Sequence, residues 1–323
     1  MLRSTGQHIL RVLGVAIAGV LCLACAASVY GQPVEIAILT SDSLVSTNRT
    51  LYGIKKVISS EYPEATFETF QVDNEPLHRL STVNSIKKSE PSLIVTIGSS
   101  ATSLAKESFS DIPIVFSAVK YPVLSGFVSP TLEPGSNITG ASLDIPTDVQ
   151  LSYFKRIIPN LKKVGVLYTE STESLITHAR IVARSLGLEL VAINVASDKD
   201  LPQALDSLGR VVQGIWSVAD PNLFRPQQTR YILLQSVRKG LPFMGFSRFV
   251  VESGALCALD FDYKAVGFQA GRIATRILGG EHPSNIEVTV ADVIWFHYNE
   301  KTAKRIDVEI PQELASIAKE VFR

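Results

Sequence analysis

Residues 111–142 read DIPIVFSAVKYPVLSGFVSPTLEPGSNITGAS, and the rest of the chain can be placed around this stretch. Its first part, residues 112–119, is apolar and rich in β-branched side chains, which is typical of a strand buried on both faces. Near its end comes Ser117, at the position where an α/β sheet commonly meets its ligand. The following loop is long and carries Pro, Gly, Ser and Asn at 134–137. We interpret it as a functional connection or a passage between two lobes.

Strands and helices alternate on both sides of this stretch. Strands are predicted at residues 34–40, 65–72, 92–97, 163–168, 189–195, 214–218, 241–246 and 255–261. Helices are predicted at 46–62, 77–89, 101–109 (with Ser99 or Ser100 as N-cap) and 148–158. Another follows residues 169–172 and ends at 186, and the remaining ones are predicted at 201–208, 229–239, 266–278 and 311–321. Such alternation with short polar turns predicts parallel, doubly wound sheets. Because the rhythm starts again near residue 148, we predict two α/β lobes rather than one wide sheet.

The composition is that of an ordinary globular protein. The 323 residues are 46% hydrophobic and 19% charged, a length that favours two cores of ordinary size. Lys plus Arg and Asp plus Glu both number 31. This balance gives no reason to expect a polyanionic partner, so nucleic acid is not among the predicted ligands.

The N-terminus has the pattern of an export signal. Arg3 and Arg11 precede an uncharged apolar run at residues 12–24, which is too short to span a bilayer and fits a signal-peptide core. Cleavage after Gly31 would remove a signal peptide of residues 1–31. Alternatively, residues 22–25 resemble a lipoprotein box, and the periplasmic protein would then be anchored through acylated Cys25. The two alternatives stay open, and in both the remaining Cys257 is expected to be a buried, inert thiol.

Signals for catalysis are weak. The segment Gly98-Ser99-Ser100-Ala101 lacks the second glycine of a hydrolase nucleophile elbow. The histidines have no paired spacing that suits a metal, and no glycine-rich loop of phosphate-binding type is present. We therefore predict no enzymatic activity, no metal and no cofactor.

Candidate ligand contacts follow the predicted strands, because two-lobed α/β folds bind ligands at the carboxyl ends of parallel strands. These candidates are Ser41, Asp42, Ser43, Ser99, Ser100, Ser117, Ser171, Thr172, Asp220, Phe246, Ser247, Asp260 and Asp262. Small hydroxyls and helix N-termini suit a carboxylate, and an Asp suits an ammonium, so together they indicate an amino-acid site. Each could instead be a helix cap. Asp220 could shape a turn before Pro221, and of Asp260 and Asp262 one could meet the ligand while the other caps a helix.

Several segments carry a resemblance to a known family. The residues IPIVF at 112–116, the spacing VxxPVxxGFV at 119–128 and PGSNITG at 134–140 resemble substrate-binding proteins of ABC importers. So do LKKVGVLY at 161–168 and NEKTAK at 299–304. That family has the type I periplasmic-binding-protein fold and includes binding proteins for tryptophan and other aromatic amino acids. A departure is Asp307, where the family pattern leads us to expect Gly.

The resemblance implies a receptor for a small solute. It places lobe 1 at residues 34–142 plus 254–282, and lobe 2 at 143–253 plus 283–323. The lobes would close by a hinge over an amino acid or similar solute, and the protein, a monomer, would deliver it to a membrane permease driven by a cytoplasmic ATPase. One alternative is a sensory binding protein that presents its ligand to a membrane kinase or chemoreceptor. A remote alternative is an exported enzyme that uses the same cleft.

Overall fold

The computed structural model describes residues 34–73 and 75–323. The predicted signal peptide and the lipidation site at Cys25 lie outside these residues. Within the described part of the chain, no helix has the length and apolar character needed to cross a membrane.

The first sheet has five parallel strands in the order β2-β1-β3-β4-β5. Its strands are β1 (Glu35–Thr40), β2 (Thr66–Gln71), β3 (Leu93–Ile97), β4 (Ile114–Val119) and β5 (Ile138–Ser142). The helices between them are α1 (Val45–Glu61), α2 (Pro76–Ser89) and α3 (Ser99–Ser108). These positions confirm the predicted parallel, doubly wound arrangement.

The second sheet has seven strands in the order β12-β11-β10-β9-β8-β6-β7, with only the β10–β11 pair antiparallel among the described pairings. The strands are β6 (Lys163–Tyr168), β7 (Glu189–Asn194), β8 (Gly214–Trp216), β9 (Phe243–Gly245), β10 (Cys257–Phe261), β11 (Ile294–Asn299) and β12 (Ala318–Phe322). The helices are α4 (Thr147–Ile157), α5 (Glu173–Ser185), α6 (Leu201–Gly209), α7 (Pro226–Arg238), α8 (Arg248–Glu252), α9 (Tyr263–Leu278), α10 (Glu300–Arg305) and α11 (Gln312–Ser316). Two sheets in one chain confirm the two-lobe prediction.

The central strands β1, β3 and β4 of the first sheet are buried on both faces. In β1, Ile36 and Ile38 pack on the side of α1 and α9, and Ala37 and Leu39 pack on the side of α3. A strand covered on both faces must be apolar at successive positions, which is why these strands read as continuous hydrophobic runs. The same pattern makes β4 the buried centre of the stretch at residues 111–142.

Helix α9 approaches helix α1 closely because glycines line the crossing. A Cβ atom added at Gly267 would lie 2.3 Å from the carbonyl oxygen of Thr50, and one at Gly53 would lie 2.5 Å from the carbonyl oxygen of Lys264. At such distances the two backbones touch and leave no room for a side chain. The pair therefore covers one face of the first sheet as a unit, in the core that also contains Ile54.

The chain crosses between the sheets three times within the described residues: after β5, after β10, and ahead of β11. The predicted lobe boundaries need correction at two of these crossings. Strand β10 pairs with β9 and β11, so it belongs to the second sheet and not to lobe 1. Conversely, Ile286 packs in the first core and Thr289 bridges Ala141, so this segment belongs to the first lobe. Both placements depend on contacts between segments that are distant in sequence, and such contacts leave no local signal in the sequence.

The predicted helix at residues 311–321 is also wrong. A short helix, α11, ends at Ser316, and strand β12 follows it at the sheet edge beside β11. Glu320 on β12 binds Arg248 through two hydrogen bonds of 2.5 and 2.8 Å, which ties this edge to α8. Asp307 has φ of 55°, the left-handed region where Gly is favoured, so the departure from the family pattern falls on a position that suits Gly.

Candidate functional site

In lobe 1 the predicted residues lie at the starts of helices. The hydroxyl oxygen of Ser41 accepts a hydrogen bond of 3.0 Å from the backbone N–H of Ala101, and so caps α3 from a neighbouring strand. Asp42 Oδ1 accepts from the Leu44 backbone N–H at 3.0 Å and from the Thr47 hydroxyl at 2.5 Å. Both side chains therefore stabilise helix N-termini at this edge of the sheet.

The serines at the start of α3 do not cap it. Gly98, with φ of 89°, occupies the N-cap position, so the prediction that Ser99 or Ser100 fills it is wrong. Ser99, Ser100 and Ser43 are exposed at this edge. They remain predicted ligand contacts.

Ser117 lies inside the lobe. It is fully buried in β4, paired with Ile97 and Ala141, and its hydroxyl has no hydrogen-bond partner in the described part of the chain. Its burial keeps the side chain away from solvent in this conformation.

We expect Ser41→Ala to lower the free energy of unfolding by about 1 kcal/mol, because α3 would lose its cap. Urea unfolding of the two proteins would measure this difference. Ser43→Ala, an exposed change nearby, serves as the control and should have no measurable effect. Equal stability of the Ser41 variant and the parent would show that water replaces the cap.

In lobe 2, the Asp220 carboxylate is the centre of a hydrogen-bond cluster. Asp220 is 1% exposed. Its oxygens accept from the following donors: Thr169 N–H at 2.8 Å, Thr169 hydroxyl at 2.7 Å, Thr172 hydroxyl at 2.6 Å, Ser171 hydroxyl at 3.5 Å, Asn222 N–H at 3.0 Å and Leu223 N–H at 3.1 Å. Burial alone would raise the pKa of Asp220, but these hydrogen bonds outweigh it and hold the pKa below its usual value. All of these donors belong to lobe 2, as Asp220 itself does. The arrangement therefore matches the alternative in which Asp220 shapes the turn before Pro221.

Asp260 and Asp262 take different roles. Asp262 is the N-cap of α9 and accepts from the Lys264 N–H at 2.8 Å. Asp260 accepts from the Arg248 N–H at 2.8 Å and from the Phe261 N–H at 2.9 Å. The helix-capping role is therefore that of Asp262. Ser247 is the N-cap residue of α8, immediately before Arg248.

The sequence reasoning missed a group of three residues where the lobes meet: Lys120, Tyr121 and Asp144. Lys120 Nζ lies 5.6 Å from the ring centre of Phe246 and 5.4 Å from that of Phe261. The Tyr121 N–H donates to both oxygens of Asp144, at 2.9 and 3.2 Å. These residues follow β4 and β5, at the strand ends where ligand contacts are expected, but a single Lys after a strand has no distinctive spacing in the sequence.

Tyr121 connects the two lobes. Its hydroxyl oxygen accepts a hydrogen bond of 3.2 Å from the Ala219 N–H, which directly precedes Asp220 in lobe 2. Its backbone has φ of 52°, an uncommon conformation for a residue with a side chain. Such conformations persist where the surroundings enforce them and are concentrated at functional sites.

Lys120, Tyr121 and Asp144 are each half-buried. Burial lowers the pKa of Lys120, although Asp260 and Asp144 act in the opposite direction. Burial raises the pKa of Asp144 above its usual value and raises that of Tyr121 to about 12. A charged side chain is destabilised in this environment, and a partner of opposite charge would therefore stabilise it strongly.

Two cavities adjoin Tyr121 and Asp144. The inner one has a volume of about 40 Å³, close to that of one water, and its lining includes Lys120, Trp216 and Phe246. The outer one, of about 800 Å³, extends along β5 under the loop after Tyr121 and reaches Leu175 of lobe 2. The space between the lobes is thus narrow beside Lys120 and wide beyond Asp144.

No group of three or more His, Cys, Asp or Glu side chains among residues 34–73 and 75–323 is placed to hold a metal ion. Cys257 is fully buried, and burial raises the pKa of its thiol. It is therefore poorly suited to act as a nucleophile at neutral pH.

Comparison with known proteins gives a consistent result. The model of the family described as ABC transporter substrate binding protein matches residues 36–322. A tyrosine-binding protein of Clostridioides difficile is 29% identical over 220 residues, 67% of this chain and 63% of that protein, so the alignment spans less than two thirds of the relative. The ligand-free, open structure of a substrate binding protein with adhesive properties from Clostridium difficile covers 89% of this chain and 99% of its own, at 22% identity and a TM-score of 0.75. An ABC domain in complex with L-Trp from Streptococcus pneumonia covers 90% and 100%, at 20% identity and a TM-score of 0.65.

Proposed function

We propose that this chain, which belongs to the ABC transporter substrate binding protein family, is an extracytoplasmic receptor that captures an amino acid between its two lobes. The bound amino acid would pass to a membrane permease that a cytoplasmic ATPase drives. The tyrosine-binding relative and the L-Trp complex support an amino acid with an aromatic side chain.

The observation that carries the proposal is the group at the meeting point of the lobes. It combines one ammonium, Lys120, with the carboxylates of Asp144 and Asp260 and the rings of Phe246 and Phe261. A free amino acid presents a carboxylate, an ammonium and, in the aromatic ones, a ring. The group therefore offers a complementary partner for each part of such a ligand.

The connections between the lobes support a hinged mechanism. Chain crossings join the two sheets after β5, after β10 and ahead of β11, so the lobes can rotate about these short segments. A ligand that contacts both lobes only when they are closed favours the closed state by its differential affinity. The Tyr121–Ala219 hydrogen bond is one contact between lobes that such a rotation would alter.

A thermal-shift screen of the mature protein, stripped of ligand by unfolding and refolding, tests the proposal. We expect L-tyrosine or L-tryptophan to raise the melting temperature, since a ligand at about 100 times its Kd stabilises the folded state by about 2.7 kcal/mol. The D-enantiomers serve as controls and should give a smaller shift. Absence of a shift with every proteinogenic amino acid would contradict the proposed substrate class.

A further inference from the structure

Lys120 has no charged group of the described chain in direct contact with its ammonium, although Asp260 and Asp144 act on it through space. Its ammonium lies against the rings of Phe246 and Phe261. Within the described chain Lys120 Nζ makes no hydrogen bond, and no carboxylate oxygen lies within 4.0 Å of it. Aromatic faces attract a cation, but they replace only part of the hydration that the ammonium has lost.

The two carboxylates that act on Lys120 through space, Asp144 and Asp260, accept hydrogen bonds from backbone donors and make none to Lys120. Asp144 accepts from the Tyr121 N–H, and Asp260 accepts from the Arg248 and Phe261 N–H groups. Both raise the pKa of Lys120 through space, which places them near it without direct contact. The fold thus holds these acids by backbone donors and leaves the ammonium available.

Lys120 is half-buried beside the two rings, and an ammonium that is partly withdrawn from water without a contacting anion loses hydration that nothing replaces in full. An anionic ligand group that reaches Nζ would recover part of this loss, and the two rings beside it would limit the access of water to the new pair. We propose that Lys120 is a specificity-determining residue that binds the ligand's carboxylate. The inference rests on the proposed function, because it assigns one part of the amino acid to one residue.

The test compares ligands that differ only at the carboxylate. L-tyrosine and L-tryptophan would be titrated by calorimetry against the parent protein and Lys120→Met, alongside the corresponding carboxamides, which keep the ring and the ammonium. We expect the parent to prefer the amino acids roughly 10- to 100-fold, the usual range for a charge-assisted hydrogen bond. In Lys120→Met this preference should disappear, and Lys120→Arg should retain most of it.

A stability measurement separates this role from a structural one. If Lys120 were held for its attraction to Asp144 and Asp260, Lys120→Met would lower the melting temperature of the ligand-free protein. We expect it to be unchanged or raised, since the substitution removes a desolvated charge. Lys87→Met is a matched control: Lys87 lies 5.9 Å from the Phe109 ring, which follows the far end of α3. That variant should keep the ligand preference.

The outcomes are distinguishable. If the parent prefers the amino acids and Lys120→Met keeps the same preference, the Lys120 inference is wrong and the proposed function stands. A lower melting temperature with unchanged preference would make Lys120 a structural residue. If the parent binds neither the amino acids nor their amides, the proposed function fails, and the inference fails with it.

Discussion

Asp220→Ala is expected to lower the free energy of unfolding by about 3–5 kcal/mol, because several buried donors would lose their acceptor at once. The donors come from two separate segments, Thr169 to Thr172 and Asn222 to Leu223. Their shared acceptor holds the end of β6 against the turn after β8. Urea unfolding followed by circular dichroism would measure the loss.

Two controls define the origin of this effect. Asp220→Asn keeps one acceptor oxygen in place and should lose less stability. Asp206→Ala removes an exposed carboxylate that pairs with Lys239, and should leave the stability nearly unchanged. The sequence predicts instead that Asp220 binds a ligand ammonium. In that case Asp220→Ala would weaken ligand binding and leave the stability unchanged. That outcome would contradict the role as a structural acceptor.

The contribution of Asp220 should also depend on pH in a defined direction. Its pKa in the folded protein lies below the unfolded value of about 3.9, so the folded state binds fewer protons than the unfolded state in this range. The stabilisation is therefore complete above the unfolded pKa and is lost as the pH falls through the folded one. Asp220→Asn should weaken the acid dependence of stability between these two values.

Gly267→Ala is expected to cost about 3 kcal/mol, the upper part of the usual range for overpacking. The added methyl carbon would lie 2.3 Å from the Thr50 carbonyl oxygen, and a backbone oxygen cannot move aside as a side chain can. Helix α9 would have to withdraw from α1 and open the core that contains Ile54. The melting temperature and the urea midpoint would both fall.

Gly209→Ala is the matched control for this change. There the new methyl carbon would lie 3.1 Å from the flexible side chain of Lys239 and 3.6 Å from Leu241 Cδ1, an ordinary contact, and Gly209 also lies in a helix. Ala is intrinsically the better helix former, so this variant should be neutral or slightly more stable. If Gly267→Ala unfolded like the parent, the close approach of α1 and α9 would be contradicted.

The elements of the sheets could be predicted because their signals are local. Residues 92–97 contain β3 and residues 163–168 coincide with β6, since apolar runs between polar turns suffice to identify buried strands. The end of the chain could not be predicted in the same way. Whether residues after Ser316 form a helix or a strand depends on pairing with β11, a neighbour chosen by the tertiary fold.

The same distinction applies to the site. Ser41 and Asp42 can be recognised as candidates because polar residues that follow strands are visible in the sequence, but their partners show that both hold helix N-termini. Lys120 was missed because its significance comes from Phe246 and Phe261, which are distant in sequence. The tertiary fold, not the residue type, brings these rings to Lys120.

The interleaving of the chain between the two sheets has a consequence for how the protein folds. Helix α9, which covers α1, follows five of the seven strands of the second sheet in sequence, and β11 and β12 complete that sheet later still. Neither lobe can bury its full core until the last part of the chain has been synthesised, so the contacts that complete both are long-range and slow to form. A newly synthesised chain that had to pass through a narrow channel would therefore still be unfolded enough to do so. A fragment ending before Tyr263 would expose the apolar face of α1 and aggregate.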